Sequence, residues 1–337
     1  MRQWSFEVDG APPKKDDIHF SCEPQGFAGS CLVGAHEIQP GKKYLQRLLL
    51  DGPFSLKSPG IYHIRAKMEQ AIKREGSNQL PANLSVESEF DLTLRVPREG
   101  ELEAAYRPFL NDLNDPDFEI RYFAATAIAQ HPPMFVESAL TKIVDNPGTT
   151  IANIVIASIV GLGRLATPGA RTKLIQMSSA GSEEFRQPAI AALGGIGNPA
   201  DCEAMLDIAS KNQLYTQGEA YIFAARLCRE RAVPVVTGLL ANADNQLSIY
   251  LATALGNTSA RSAMAPLIDL LGHSDKFVRR AADESLATLT HRHSQYGVAT
   301  VESAEKSHLE WSNWFAANAE TAILYDTSQC AEPKPLQ

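Results

Sequence analysis

The feature that most constrains the fold is a pattern that occurs twice between residues 244 and 290. Leu247 is matched by Val278, and Leu255 is matched by Leu286, each 31 residues further along the chain. A fixed spacing of this kind is typical of a repeat array, in which each unit buries its apolar face against its neighbours. The sequence therefore predicts a stack of short, similar units.

The same register continues towards the N-terminus. With Leu286 as the anchor position, the equivalent residues of earlier units, allowing one three-residue insertion, are Leu255, Ala224, Leu193, Leu162 and Ile128. Positions eight and four residues before each anchor, and twelve and fifteen after it, are mostly apolar or small. This spacing predicts two helices per unit, joined by short turns that contain Pro168 and Pro199.

Several short motifs accompany the period, namely Asp117-Phe-Glu-Ile-Arg121, Asp275-Lys-Phe-Val-Arg279 and the Ala-Leu-Gly triplets that end at Gly194 and Gly256. In these residues the chain resembles the HEAT-repeat family, in the short bacterial form also seen in phycobilisome-lyase-like repeats. The resemblance implies an α-α superhelix, a HEAT solenoid, over residues 99–291. It also implies a structural ladder made of Asp117, Arg121, Arg186, Asp244, Asp275 and Arg279.

The first hundred residues follow a different pattern, in which apolar and polar residues largely alternate between Gly- and Pro-containing turns, as in antiparallel strands. The turns Pro40-Gly41 and Pro59-Gly60, followed by Tyr62, resemble a passage of bacterial immunoglobulin-like β-sandwich domains, which implies that Tyr62 packs in the sandwich core. We therefore expect residues 1–98 to form an antiparallel β-sandwich. Such a domain needs about seven strands, so either the sandwich is reduced or its first strands lie upstream of Met1; we favour the second.

Residues 292–337 are expected to form a loop, a C-terminal capping helix and a polar tail. Trp311 and Trp314 lie in an amphipathic segment that we interpret as the cap of the array, in preference to a ligand box. His291 and His293 are interpreted as part of a polar loop, in preference to a metal site.

Composition and cysteines restrict the partners and the compartment. The net charge of -8 argues against nucleic acid as a partner, and no apolar run is long enough for membrane insertion. The N-terminus lacks the apolar core of a secretory signal, so we expect export if the chain is truncated there and the cytoplasm otherwise. Cys22 and Cys31 either form a disulfide across a turn or are two small apolar residues, and Cys202 and Cys228 are expected at core or edge positions of helices.

No motif for catalysis is found. The glycines at 161–163 and 194–197 lack the Lys-Ser/Thr of a phosphate-binding loop and are interpreted as helix C-caps, and neither a Gly-x-Ser-x-Gly nor a His-Glu-x-x-His motif occurs. We therefore predict no catalytic residues, no metal and no cofactor.

Function is then expected on the surface of the repeats. Positions six and two residues before each anchor should point away from the core, on what we expect to be the concave side, and the residues chosen there are Tyr122, Ile156, Val160, Gln187, Ile222, Ile249, Arg280 and Glu284. Their apolar members either line a groove for a partner or are partly buried in a tightly curved array.

The predicted function is a non-enzymatic scaffold that binds a protein or peptide. The alternatives are a chromophore lyase or isomerase built on similar repeats, and a structural spacer of the cell envelope. The sequence does not specify an oligomeric state.

Overall fold

A computed structural model describes residues 3–8, 59–72, 82–147, 150–212, 214–322, 324–326 and 334–335. The chain divides into two compact units, and within the described residues the division falls between Ala127 and Ile128. The described helices, in chain order, are α1 (Glu101–Asp112), α2 (Phe118–Gln130), α3 (Glu137–Asp145), α4 (Ala152–Leu165), α5 (Pro168–Ala180), α6 (Glu183–Ile196), α7 (Cys202–Lys211), α8 (Leu214–Cys228), α9 (Ala232–Leu240), α10 (Asn245–Gly256), α11 (Met264–Leu270), α12 (Lys276–Thr290) and α13 (Val301–Asn318).

The first unit contains a three-stranded antiparallel sheet. Its strands are β1 (Gln3–Val8), β2 (Gly60–Ile72) and β3 (Ala82–Leu94), in the spatial order β1-β2-β3. The alternation in β2 places Tyr62, Ile64 and Ala66 on a buried face while Arg65 is exposed. Tyr62 is therefore buried, as the sequence resemblance implies.

The other face of β2 and β3 carries three cross-strand contacts between a basic and an acidic side chain. The contacts are His63 Nδ1 to Asp91 at 2.9 Å, Arg65 Nε to Glu89 at 2.8 Å and Lys67 Nζ to Glu87 at 3.6 Å. Slipping the register by one residue would exchange this face with the apolar one, so the charge pairs and the buried face favour the same register. The hydrogen bond and positive charge of Arg65 lower the pKa of Glu89.

The predicted β-sandwich is not shown, because the described residues of the first unit form one sheet and contain no second sheet packed against it. Residues 9–58, which include Pro40-Gly41 and the Cys22 and Cys31 pair, lie outside the described residues. Strand β3 begins at Ala82, inside the stretch 74–85, whose Gly, Pro and Asn residues are typical of a loop. In the second unit, two short strands near the C-terminus, β4 (Tyr325–Asp326) and β5 (Lys334–Pro335), pair antiparallel.

The helical array predicted from the repeat period is confirmed. From α4 onward the helices form pairs, and the first helices of successive pairs (α4, α6, α8, α10 and α12) pack against one another in a row. Every anchor residue is completely buried, with 0% of its surface exposed: Ile128, Leu162, Leu193, Ala224, Leu255 and Leu286. The positions four before and twelve after the anchors are equally buried. The period therefore identifies the residues that hold neighbouring helices together.

Two of the first helices, α10 and α12, begin at an aspartate whose side chain accepts hydrogen bonds from free backbone N–H groups. The side chain of Asp244 accepts from the N–H of Leu247, and Asp275 accepts from those of Phe277 and Val278. The final helix, α13, begins with a reciprocal capping box between Thr300 and Ser303.

Two glycines of the Ala-Leu-Gly triplets permit close approach of successive first helices. A Cβ at Gly194 would lie 2.1 Å from the ring of Phe223, and one at Gly256 would lie 2.6 Å from Ser285. The interpretation of residues 161–163 and 194–197 as C-caps is therefore wrong in part. Only Gly197, with φ of 67°, caps its helix, and the residue with positive φ after α4 is Ala166.

Helix α13 packs against α11, the second helix of the preceding pair. Trp311 is completely buried, and the guanidinium of Arg292 lies 5.8 Å from its ring centroid and 5.5 Å from that of Trp314. Arg292 also donates to Glu310 at 2.6 Å. The loop that leaves α12 is thus fixed to α13 by cation–π contacts and an ion pair.

Candidate functional site

The outward positions of the first helices in the second unit combine apolar and polar side chains. Ile156, Ile222 and Ile249 are half-buried, whereas Val160 is buried with 8% of its surface exposed. Gln187, Arg280 and Glu284 are exposed. We define the first-helix face as the accessible residues of this surface, namely Ile156, Gln187, Glu219, Ile222, Ile249, Tyr250, Arg280 and Glu284.

Tyr122 belongs to the first unit and is described there by itself. It is half-buried, and its ring stacks on that of Phe118 at a centroid distance of 6.0 Å. Its backbone carbonyl accepts a hydrogen bond from Thr126 at 2.8 Å.

The centre of the first-helix face is formed by α6, α8 and α10. The side-chain amide of Gln187 donates to Glu219 at 3.0 Å, which links α6 to α8. On the other side of α8, the ring of Tyr250 lies against the backbone of Gly218, where a Cβ would approach it to 2.3 Å. The lack of a side chain at Gly218 therefore allows the ring of Tyr250 on α10 to lie against the backbone of α8.

Glu219 was not among the residues singled out from the sequence. Burial raises the pKa of this carboxyl group, and the hydrogen bond from Gln187 partly opposes that effect. Ile222 is one helical turn further along α8, on the same side as Glu219. The face thus holds a half-buried carboxylate beside the half-buried Ile222. The positions six and two residues before each anchor include Ile222, whereas Glu219 lies between them and is not indicated by the spacing.

At the far end of the face, α12 carries an exposed ion pair between two of its own side chains. Arg280 Nε donates to Glu284 at 2.7 Å, and both side chains are largely accessible to solvent. Exposed pairs of this kind contribute little to stability, so these two side chains remain available for other contacts.

The acidic and basic residues of the predicted ladder act at separate places. Asp244 and Asp275 are helix caps, and Asp117 accepts from the N–H of Glu119 at 2.7 Å. None of the six ladder residues, all of which are described, forms an ion pair with another. A lateral contact between units is made by Asn245, which donates to Asp275 at 3.1 Å.

The arginines of the ladder instead bind backbone carbonyls at the end of the preceding helix. Arg121 donates to the carbonyls of Asp115 and Pro116, Arg186 to Gly181, and Arg279 to His273 and Ser274, all within 2.9 Å. These carbonyls follow the last helical turns, where the backbone lacks internal partners. Each arginine therefore joins its helix to the end of the preceding repeat.

A second set of contacts links consecutive units at the turns between first and second helices, which we call the turn edge. Arg171 binds Asp201 through two hydrogen bonds of 3.0 and 2.5 Å, and Arg231 pairs with Glu203. Further along, Ser262 donates to Glu230, and Arg261 donates to the carbonyl of Ala322 at 2.7 Å.

The turn edge also contains a disulfide between Cys202 and Cys228, with a Cα–Cα distance of 5.1 Å. The sequence predicts core or edge positions for both cysteines and gives no indication of the bond. Both are indeed buried. They occupy different positions within their units, 26 residues apart, so the 31-residue period gives no signal for the pair.

Two findings concern membranes and metals. None of the described helices is both long and apolar enough to cross a bilayer. In the described part of the chain, no three His, Cys, Asp or Glu side chains are grouped so that they could hold a metal ion.

The comparisons with known proteins show little. No family model matches the chain, and no curated protein matches it. Among solved structures, an engineered protein is 17% identical, covers 60% of this chain and 97% of its own, and has a TM-score of 0.35. Human deoxyhypusine hydroxylase in complex with glycerol is 15% identical, covers 63% of this chain and 97% of its own, and has a TM-score of 0.32. Likeness at this level assigns no function.

Proposed function

We propose that this chain is a non-enzymatic interaction protein whose first-helix face binds a protein or peptide partner. The observation that carries the proposal is the group of half-buried residues at its centre, where Glu219 lies beside Ile222 and across from Gln187. Placing a carboxylate in a partly desolvated position costs free energy of folding. Groups retained at such a cost are often functional.

The apolar part of the face supports contact with a partner. Ile156, Ile222 and Ile249 recur at the same position, or at the neighbouring outward position, on three helices that belong to one row. Because successive units stack side by side, these side chains lie along the row as a stripe that is interrupted at α6, where the exposed Gln187 occupies the position of Ile156. A stripe of this kind fits an extended peptide or a partner helix that runs across the repeats.

The polar part indicates the chemistry of the partner. The carboxylate of Glu219 accepts one hydrogen bond from Gln187, which leaves capacity for further donors. A lysine, an arginine or a backbone N–H of a bound segment would supply such a donor. We therefore expect a segment with apolar side chains that flank one cationic or amide donor.

The finer fold assignment is part of the same proposal. The short two-helix units, the aspartate caps and the recurring arginine support the assignment of the array to the HEAT-repeat family. The buried Tyr62 next to the Pro59-Gly60 turn motif supports the immunoglobulin-like assignment of the N-terminal region.

The two alternatives remain predictions, and no contact described above favours either of them. A chromophore lyase would co-purify with a pigment that absorbs visible light. A structural spacer of the envelope would retain all of its partners when the first-helix face is changed.

The proposal is tested by site-specific photo-crosslinking in the cells that make the protein. A photo-reactive phenylalanine analogue replaces Ile249 on the face, and in the matched control it replaces Val235, an exposed apolar residue of α9. We expect one discrete crosslinked protein with the analogue at position 249 and none with it at position 235. Equal crosslinking at both positions, or none at position 249, would contradict the proposal.

A further inference from the structure

The disulfide between Cys202 and Cys228 joins two consecutive repeats. Cys202 is the first residue of α7, and Cys228 is the last residue of α8. Their surfaces are 1% and 5% exposed, so the bond is enclosed by the packing of the two helices. It lies next to the ion pair between Glu203 and Arg231, which spans the same junction.

The position of the bond distinguishes it from the other links of the turn edge. The neighbouring junctions use the ion pair of Arg171 with Asp201 and the hydrogen bond of Ser262 with Glu230, both of which form spontaneously in water. A disulfide forms and persists only where the surroundings are oxidising, because glutathione and thioredoxin keep cytosolic thiols reduced. The junction between α7 and α8 therefore depends on redox conditions in a way that its neighbours do not.

We infer that the protein acquires its native structure in an oxidising compartment, where the bond between Cys202 and Cys228 locks the junction of α7 and α8. The inference concerns stability and location, and it does not rest on the proposed partner-binding role.

Formation of the bond requires a two-electron oxidant, and in the proposed reaction this oxidant is the disulfide of a donor protein. The thiolate of one cysteine attacks a sulfur of the donor disulfide, which forms a mixed disulfide and releases one donor thiolate. The second cysteine, after losing its proton, then attacks the mixed disulfide at the sulfur of the first. This step forms the bond between Cys202 and Cys228 and releases the donor as a dithiol, which carries away two electrons. Burial of the product protects it from attack by small thiols.

The thiol state is measured on full-length protein taken from the cells that make it. Cells are quenched in acid, free thiols are alkylated under denaturing conditions without reductant, and tryptic peptides are analysed by mass spectrometry. We expect a peptide pair linked through Cys202 and Cys228, with no alkylation of either residue. Quantitative alkylation of both would overturn the inference, even if the bond can be formed by an added oxidant.

Thermal unfolding of the purified, oxidised protein provides the second test. Reduction, or the double substitution of Cys202→Ser and Cys228→Ser, should lower Tm by about 5 to 15 °C, while Cys330→Ser should leave it unchanged. Because the measurement starts from protein that folds, a failure of the double variant to express does not affect the comparison of wild-type protein with and without reductant. Reduction of Cys202 and Cys228 is verified by alkylation under denaturing conditions, because the bond is buried. An unchanged Tm in protein whose two cysteines are shown to be reduced would show that the bond does not lock the junction.

Discussion

The buried columns of the helical array repeat from unit to unit, whereas the links of the turn edge differ at every junction. Leu162, Leu193 and Leu255 occupy one position and share one environment. At the turn edge, an ion pair, a disulfide and a hydroxyl hydrogen bond follow one another along the chain. Apolar packing between similar helices thus sets the spacing of the array, and polar or covalent chemistry specific to each junction adds to it.

The comparison predicts that truncation of a buried column has the largest effect. Leu193→Ala removes a side chain with no exposed surface, and we expect a loss of about 2–5 kcal/mol in the free energy of unfolding. Denaturant titration measures this loss. Val235→Ala, on the accessible side of α9, serves as the control and should cost much less. Equal losses for the two variants would show that the columns are not the main source of stability.

Adding a methyl group between two closely packed first helices should also destabilise the array. In Gly194→Ala the new methyl group would lie 2.1 Å from the ring of Phe223, and we expect a loss of about 1–3 kcal/mol as α6 and α8 separate. The matched control is Gly238→Ala in α9, where no atom lies within 4 Å of the new Cβ. Because alanine is the better helix former, that variant should be as stable as the parent or more so. We expect a lower melting temperature for Gly194→Ala than for Gly238→Ala, and the reverse order would contradict the prediction that close packing at Gly194 stabilises the array.

Breaking one link of the turn edge is expected to have a smaller effect than truncating the buried column at Leu193. The side chains of Arg171 and Asp201 are 23% and 5% exposed, so Arg171→Ala leaves a buried carboxylate without its cation, at a cost of about 1–3 kcal/mol. Asp201→Asn combined with Arg171→Ala should recover part of the loss. Full additivity of the two single changes would show that the pair does not act as a unit.

On the first-helix face, Glu219 should lower the stability of the folded protein at high pH, in contrast to the residues above, which stabilise it. Because the folded-state pKa of Glu219 lies above its ordinary value of 4.5, the folded protein binds more protons there than the unfolded chain. Stability therefore falls as pH rises through the folded-state pKa. Glu219→Gln removes this cost and keeps an acceptor for Gln187. We expect a higher Tm than wild type at pH 8 and no gain at pH 3.5, where both states are protonated.

The smallest effect is expected for the exposed pair at the end of the face. Arg280→Ala should leave Tm unchanged within error, because Arg280 and Glu284 are solvated on one helix. A clear drop in the Tm of Arg280→Ala would contradict this prediction and show that Arg280 stabilises the fold.

The same comparison explains what the sequence could and could not predict. The period located the anchors and the helix pairs because the apolar environment is identical in each unit. It could not locate Arg171 with Asp201 or Cys202 with Cys228, since each pair occurs once and its members lie 30 and 26 residues apart. Glu219 was missed because it lies one position beside the chosen column, and its hydrogen bond comes from Gln187 of the neighbouring helix α6. In the sheet, alternation predicted β1 and β2, while the start of β3 lay in a polar stretch that resembled a loop.

The central claim, that the first-helix face binds a partner, is tested most directly by affinity. Once crosslinking has identified the partner, its affinity is measured by calorimetry for wild-type protein, for Ile222→Lys with Ile249→Lys, and for Val235→Lys, with thermal melts to verify folding. We predict that the double variant binds at least about 100-fold more weakly, as is common when central apolar contacts are lost, and that Val235→Lys binds like wild type. Unchanged affinity of a folded double variant would contradict the account.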